Sequence, residues 1–162
     1  MPFRVLGIDP GLQHTGWGIV ESDGSALRYI ASGTVHPPTS SPLSTRLAAL
    51  YEAIREVLDA HTIDEAAIEE TFVNKNALSS LKLGHARGVL MMAVSLAAVP
   101  LSEYAATTVK KSLVGVGRAQ KGQVAMMVKT LMPTAVIDGE DAADALAVAI
   151  CHVHHAGRRH IG

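Results

Sequence analysis

The sequence predicts an α/β fold in which a mixed, five-stranded sheet is flanked by helices. Two observations lead to this prediction. Three apolar, β-branched runs follow one another at the start of the chain, and helical and strand patterns alternate after them. With 162 residues, the chain is large enough to bury about two-thirds of its unfolded surface as one domain. We expect a single domain over residues 1–156 and a short basic tail over residues 157–162.

The first part of the chain is predicted to be an antiparallel meander followed by a helix. Turn residues Ser22–Ser25 separate the second and third strands, and a loop rich in Pro and Ser follows at residues 36–42. Leucine and isoleucine then recur at helical spacing from residue 43 to residue 60. The predicted strands are Phe3–Asp9, Trp17–Glu21 and Leu27–Val35.

Strand and helix patterns alternate in the remainder. The apolar run at Ile63–Glu70 predicts a buried central strand, and Leu101–Ala105 predicts a short edge strand. The long helix between them carries a stripe of small residues, so either the protein's own sheet or a second subunit can approach it closely. The predicted helices span residues 77–99, 106–113, 120–132 and 140–155. This order of elements resembles the ribonuclease H architecture.

Composition excludes several classes of protein. Hydrophobic residues make up 48% of the chain and charged residues 18%, which is typical of a globular protein. The single Cys151 excludes an internal disulfide and fits a reducing cytosol. No secretory signal pattern is present, and the longest apolar run, Val89–Val99, is too short to span a bilayer. We therefore expect a cytoplasmic protein without a membrane segment.

Charge is distributed unevenly although the formal net charge is only -1. Residues 74–129 contain eight Lys or Arg and one Glu, which gives this segment +7 and leaves -8 for the rest. A basic face beside an acidic pocket suits a protein that holds phosphates around bound metal. Two ordinarily solvated regions would fit the same charges equally well.

Carboxylates occur where predicted strands end and where the last helix begins. Asp9 ends the first strand, Glu69 lies near the end of the central strand, and Asp141 and Asp144 follow the start of the helix. If these groups share a pocket, each pair of charges about 5 Å apart repels by roughly 3 kcal/mol at an effective dielectric near 20. Hard divalent cations neutralise such a cluster of oxygen ligands. The sequence therefore predicts an acidic metal site.

Side-chain direction selects among the carboxylates. Glu69 and Glu70 point to opposite sides of a strand, and we expect Glu69 to face the pocket. Asp141 and Asp144 fall within about 60° of each other on a helical wheel, so both can point to one place. Taken singly, these residues also fit structural roles as a hairpin cap, strand-end charges and an acidic helix start.

Two further motifs are assigned lesser roles. His152 lies about 16 Å along the helix from Asp141, too far to bind the same ion. We expect the His- and Arg-rich end of the chain to be solvated and to contact phosphate at most.

The pattern from Asp9 to Gly16 is similar to the phosphate loop of the actin, sugar-kinase and heat-shock ATPase group. Those proteins enclose a nucleotide with two lobes, and 162 residues leave no room for the second.

Taken together, the motifs resemble those of the bacterial RuvC Holliday junction resolvases. They follow the order of that family over almost the whole chain, from Leu6 to about His152. The matching segments are Leu6–Gly11, Ala67–Glu69, Lys75–Ala77, Leu81–Gly88, Glu103–Ala105 and Asp141–Ala147.

The resemblance implies a crossover junction endodeoxyribonuclease of DNA recombination and repair. Such an enzyme is a homodimer that makes paired, symmetric nicks in four-way DNA junctions, leaves 5′-phosphate and 3′-hydroxyl ends, and acts with RuvA and RuvB. Its active site holds two Mg²⁺ ions, for which Mn²⁺ can substitute. The residues implied as catalytic and as metal ligands are Asp9, Glu69, Asp141 and Asp144.

The resemblance also implies contacts with DNA. Lys110 and Lys121 correspond to lysines near the scissile phosphate, and Phe72 to an aromatic side chain that enters the junction core. The expected DNA-binding residues are Phe72, Lys75, Lys82, Arg87, Lys110, Lys111, Arg118 and Lys121.

Three other functions stay open on the residues alone. The chain could be a ribonuclease H-like nuclease that cuts another structured nucleic acid, such as an RNA–DNA hybrid. It could bind junctions without cutting them. A single-lobed ATPase fragment is the third alternative, and it would bind nucleotide.

Overall fold

A computed structural model confirms the predicted α/β fold with a five-stranded mixed sheet. It describes residues 2–70, 75–115, 120 and 122–159. The strands are β1 (Phe3–Asp9), β2 (Thr15–Ser22), β3 (Leu27–Val35), β4 (Glu65–Glu69) and β5 (Leu101–Tyr104). The helices are α1 (Leu43–Ala60), α2 (Ala77–Leu96), α3 (Ala106–Val114), α4 (Gln123–Leu131) and α5 (Glu140–Arg159).

The sheet has the strand order β3-β2-β1-β4-β5. Strands β1 to β3 form an antiparallel meander, whereas β1, β4 and β5 run parallel to one another. In the β1–β4 register, Ile8 pairs with Ile68. The next residues, Asp9 and Glu69, are therefore neighbours at the carboxyl edge of the sheet, where open α/β sheets bind ligands.

Helices cover the sheet on both faces. On one face, Leu6, Ile8 and Ile68 pack with buried residues of α1 and α2, such as Leu50 and Leu90. On the other face, Val5, Val20 and Ala67 pack with α3, α4 and the apolar residues of α5. The alternation along β4 thus sends Glu69 to the face of α5, together with Ala67, as the sequence predicts.

Helix α5 lies close against the sheet. Small side chains such as those of Ala145 and Ala149 line this contact, and the sheet contributes glycines as well. A Cβ at Gly7 would collide with the backbone of Ala145, and one at Gly16 with the backbone of Asp141. Gly16 lies within β2, where the absence of a side chain leaves space for α5. The close approach places the first turns of α5 beside the ends of β1 and β4.

The expectation of a solvated end is wrong for His152. This residue is only 2% exposed, because α5 continues to Arg159 and its second half packs against β5 and α3. The Nδ1 atom of His152 lies 2.8 Å from the hydroxyl oxygen of Tyr104, and Nε2 contacts the carboxylate of Glu65. His154 is also engaged, 3.1 Å from the hydroxyl of Ser112. These side chains connect α5 to the sheet and to α3.

None of the helices in the described ranges combines the length and apolar character that crossing a membrane requires.

Candidate active site

Asp9 and Glu69 meet at the carboxyl edge of the sheet and share a hydrogen bond between their carboxyl groups. Burial raises the pKa of Asp9 to about 9, and the Glu69 hydrogen bond and the charges of Glu69, Asp144 and Asp141 act in the same direction. The buried Asp9 carboxyl therefore keeps its proton at neutral pH when no cation is present. A carboxyl group whose pKa is raised in this way is typical of a site that binds a cation.

Asp144 completes the cluster from α5. Burial raises the pKa of Asp144 to about 6, with further increases from the charges of Glu69, Asp141 and Glu140. The positive charge of Lys110 opposes these effects. Asp144 and Lys110 thus lie within electrostatic reach of each other and of the paired carboxyls.

A cavity of about 250 Å³ joins these groups. Asp9, Glu69, Asp144 and Lys110 supply its polar atoms, and the apolar wall comes from α3, α4 and α5. The apolar lining residues are Ala106, Val109, Val124 and Ala147. Carboxylates from three elements that are distant in sequence therefore meet in one small, partly apolar cavity.

Asp141 lies at the border of this site. Its charge contributes to the raised pKa of both Asp9 and Asp144, yet it lines a neighbouring cleft and not the cavity itself. Asp141 and Asp144 therefore interact through their charges but line different cavities, and a common metal site for both stays a prediction.

The carboxylates are suitable ligands for a divalent cation. Their donor atoms are all oxygens, as Mg²⁺ and Mn²⁺ prefer. Within the described ranges, no three His, Cys, Asp or Glu side chains already surround a common point. Asp9 and Glu69 instead contact each other through a proton, so a cation would have to displace that proton and take its place between them.

The expected DNA-binding residues have different surroundings. Lys110 lines the acidic cavity, whereas Lys75, Lys82 and Lys111 are exposed. Three of the expected residues lie outside the described part of the chain: Phe72, Arg118 and Lys121.

Arg87 is bound within the chain. Its Nε donates to the backbone carbonyl of Glu69 over 3.2 Å, and its guanidinium forms an ion pair with Glu103. These two internal partners hold α2 against the ends of β4 and β5, and the DNA contact expected of Arg87 stays a prediction. The one acid in the basic segment, Glu103, was the available signal for the ion pair.

Comparison with known proteins gives one consistent result. The family model for "Crossover junction endodeoxyribonuclease RuvC" matches residues 5–152. A protein of that description from Azorhizobium caulinodans is 54% identical over 154 residues, covering 95% of this chain and 91% of the relative. One from Mesorhizobium japonicum is 55% identical over 152 residues, covering 94% and 90%.

Solved structures show the same similarity. Thermus thermophilus RuvC in complex with a Holliday junction substrate superposes with a TM-score of 0.90 at 31% identity, covering 97% of this chain and 96% of the other. The yeast mitochondrial Holliday junction resolvase shares the fold, with a TM-score of 0.65 at 14% identity. The superposition covers 98% of this chain and 82% of the yeast protein's chain.

Proposed function

Since this chain belongs to the RuvC family of crossover junction endodeoxyribonucleases, we propose that its acidic cluster is the metal-dependent centre that cuts four-way DNA junctions. The family makes the chain a Holliday junction resolvase, a nuclease of recombination and repair. The convergence of Asp9, Glu69 and Asp144 in one cavity is the observation that supports this assignment of the centre.

The proposed ligands of two Mg²⁺ ions are Asp9, Glu69, Asp144 and Asp141. Asp9 would be the central residue among those that hold the ions, because the charges of all three other carboxylates act on it. When bound, the ions supply Lewis-acid activation of water and stabilisation of the leaving 3′ oxygen. Mn²⁺ is expected to substitute, since it accepts the same oxygen ligands.

The side chains around the carboxylates supply positive charge, limit the access of water and position Glu69. Lys110 lines the same cavity, and its positive charge would stabilise the negative charge that develops on the reacting phosphate in the transition state. The apolar wall of the cavity, which includes Val109 and Val124, limits access of bulk water. Arg87 positions the end of β4, and therefore Glu69, through its bond to the backbone carbonyl.

A homodimer would provide two such centres for the two cuts. A four-way junction has two-fold symmetry, and a C₂ dimer presents two equivalent sites to it. The exposed face of α2 is a suitable interface, because four large apolar side chains on it are at least half exposed. These are Leu78, Leu81, Met92 and Leu96. Gly84 and Gly88 have open space above them, so they leave room for a second backbone.

Cooperation with RuvA and RuvB and a cytoplasmic location complete the proposal. Both rest on membership of the family. The proposed domain boundary at residue 156 and the role of the basic tail rest on the sequence.

Cleavage of a synthetic mobile four-way junction tests the proposed function. Mg²⁺ should give paired, symmetric nicks with ligatable 5′-phosphate ends, whereas Ca²⁺ or a chelator should permit binding without cutting. The Asp9→Asn variant should bind and not cut, and an RNA–DNA hybrid should remain intact. Cutting of the hybrid in preference to the junction, or cutting by Asp9→Asn at the wild-type rate, would contradict the proposal.

A further inference from the structure

A second cleft adjoins the acidic cavity and has the opposite character. Its volume is about 380 Å³, and it lies between the β1–β2 turn, the start of α1, the first turns of α2 and the first turn of α5. The side chains that carry charge or hydrogen-bonding groups into it are Gln13, His14, Arg46, Ser79, Lys82 and Asp141. Two of these are permanent cations, and Asp141 is the one acid that lines the cleft within the described ranges.

Arg46 supplies a positive charge for which the described residues offer no carboxylate partner. Its Nε is buried and has no hydrogen-bond partner among the described residues, and its Nη2 reaches the carbonyl oxygen of Leu12 only at 3.5 Å. The ion pairs within the described ranges involve neither Arg46 nor Lys82. Keeping a half-buried guanidinium without a carboxylate costs free energy, which an anionic ligand would recover.

A histidine pair lies at the same cleft. The Nδ1 atoms of His14 and His36 are 2.7 Å apart, within hydrogen-bonding distance, and both side chains are exposed. His14 lines the cleft beside Arg46. The turn that carries His14 is held in shape by Thr15, whose hydroxyl donates to the carbonyl of Gly11 over 2.6 Å and accepts from its N–H over 3.1 Å. The donors of the cleft are thus positioned in advance of any ligand.

Asp141 joins the two sites. It lines the cationic cleft, and its charge also reaches Asp9 and Asp144 in the acidic cavity. A strand with one phosphodiester at the carboxylates would therefore carry a neighbouring phosphodiester past Asp141 into the cleft. Such a contact positions the strand, because phosphate contacts set the register of a protein on DNA.

We propose that the cleft lined by His14, Arg46 and Lys82 is a second phosphodiester subsite, which binds a backbone phosphate next to the scissile one and so fixes which phosphate is cut. This inference rests on the proposed function, because it needs a nucleic-acid strand at the acidic cavity. It adds His14 and Arg46 to the residues that hold the strand.

Neutral phosphates test the subsite directly. Four-way junctions are prepared with a single methylphosphonate at successive positions on either side of the cut, and their affinities are measured in Ca²⁺, where cleavage does not interfere. For the wild-type protein, one position next to the scissile phosphate should weaken binding by roughly tenfold, as expected for a lost charged hydrogen bond. The Arg46→Gln variant should bind the unmodified junction about tenfold more weakly and should no longer respond to that methylphosphonate.

Salt dependence and matched variants separate a phosphate contact from a structural role. Loss of one contact should reduce the slope of log K against log salt by about 1 in Arg46→Gln. Arg55→Gln is the control, since Arg55 is on the same helix but is exposed and paired with Glu52 and Asp59. Its slope should equal that of the wild type. His14→Ala, at an exposed turn position, should reduce affinity without changing the melting temperature and provides a second test if Arg46→Gln does not fold.

Two results would overturn the subsite. One is a methylphosphonate effect of equal size in the wild type and in Arg46→Gln or His14→Ala. The other is a salt slope that these variants leave unchanged. Because every readout is binding in Ca²⁺, failure of the subsite is distinct from failure of the proposed function, which would appear as wild-type protein that does not cut the unmodified junction in Mg²⁺.

Discussion

The raised pKa of Asp9 makes the free energy of unfolding of the metal-free protein depend on pH. This pKa is raised in the folded protein, so the folded state binds a proton that the unfolded chain releases above about pH 4. The free energy of unfolding of the metal-free protein should therefore fall as the pH rises from about 4 towards about 9. Bound Mg²⁺ should offset this loss, because it replaces the proton between the carboxylates.

Asp9→Asn should consequently be more stable than the wild type while inactive. At pH 8 in chelator we expect its free energy of unfolding to be higher by on the order of 1 to 3 kcal/mol, with a much smaller difference at pH 4. Urea unfolding at the two pH values measures this. The exposed Asp138→Asn is the control and should show no gain. A variant that is less stable than the wild type at pH 8 would contradict the assignment of the raised pKa to the Asp9 carboxyl.

Arg87 provides a test of positioning against DNA contact. Arg87→Lys keeps the charge but loses the forked geometry that reaches both Glu103 and the Glu69 carbonyl. We expect junction affinity in Ca²⁺ to stay within about twofold and the cleavage rate in Mg²⁺ to fall by about tenfold. Arg28→Lys, a swap at another carboxylate-paired arginine, should change neither. Unchanged cleavage by Arg87→Lys would show that only the charge of this residue matters.

At the scale of elements, the close approach of α5 to the sheet determines the geometry of the site. Gly7→Ala would place a methyl group against the backbone of Ala145, so we expect a loss of at least about 3 kcal/mol or failure to fold. Gly84→Ala is the matched substitution on the open face of α2 and should leave the folded monomer as stable or up to about 1 kcal/mol more stable. Thermal unfolding of both variants decides. A Gly7→Ala protein with wild-type stability would show that α5 lies farther from β1.

Buried His152 contacts Tyr104 and the half-exposed Glu65, and this network connects α5 to β4 and β5. His152→Ala should cost about 2 to 4 kcal/mol, because it leaves a cavity and removes one hydrogen-bond partner of the Tyr104 hydroxyl. Tyr104→Phe removes only that hydroxyl and should cost about 1 kcal/mol. Chemical unfolding of the two single variants and the double variant measures the coupling. If the effects of the two substitutions simply add, the network does not act as a unit.

Sequence patterns predicted the strands and helices well, but they predicted the contacts between these elements poorly. The limits of β1 and β3 followed from local hydrophobic patterns and turn residues, and alternation along β4 correctly separated Glu69 from Glu70. The burial of His152 could not be predicted in this way, because its partners Tyr104 and Glu65 lie 48 and 87 residues earlier in the chain. The same holds for Asp141, whose neighbouring cleft is assembled from four separate segments.

At the scale of the whole molecule, the proposed dimer explains why α2 exposes apolar side chains. Leu81→Glu should place a charge in the proposed interface and weaken self-association at least about tenfold. Sedimentation velocity over a range of protein concentrations measures this, and paired nicks should become single, uncoupled nicks. Met126→Glu is the control, since Met126 is 69% exposed on α4. Self-association that survives Leu81→Glu would place the interface elsewhere.

We propose that carboxylates from β1, β4 and α5 together hold the divalent cations. Anomalous diffraction from crystals of the protein grown with Mn²⁺ is the decisive measurement. We expect anomalous density in contact with Asp9 and with at least one of Glu69 and Asp144, and none there in crystals of Asp9→Asn. Mn²⁺ bound only at other residues, or unchanged in Asp9→Asn, would contradict the proposal.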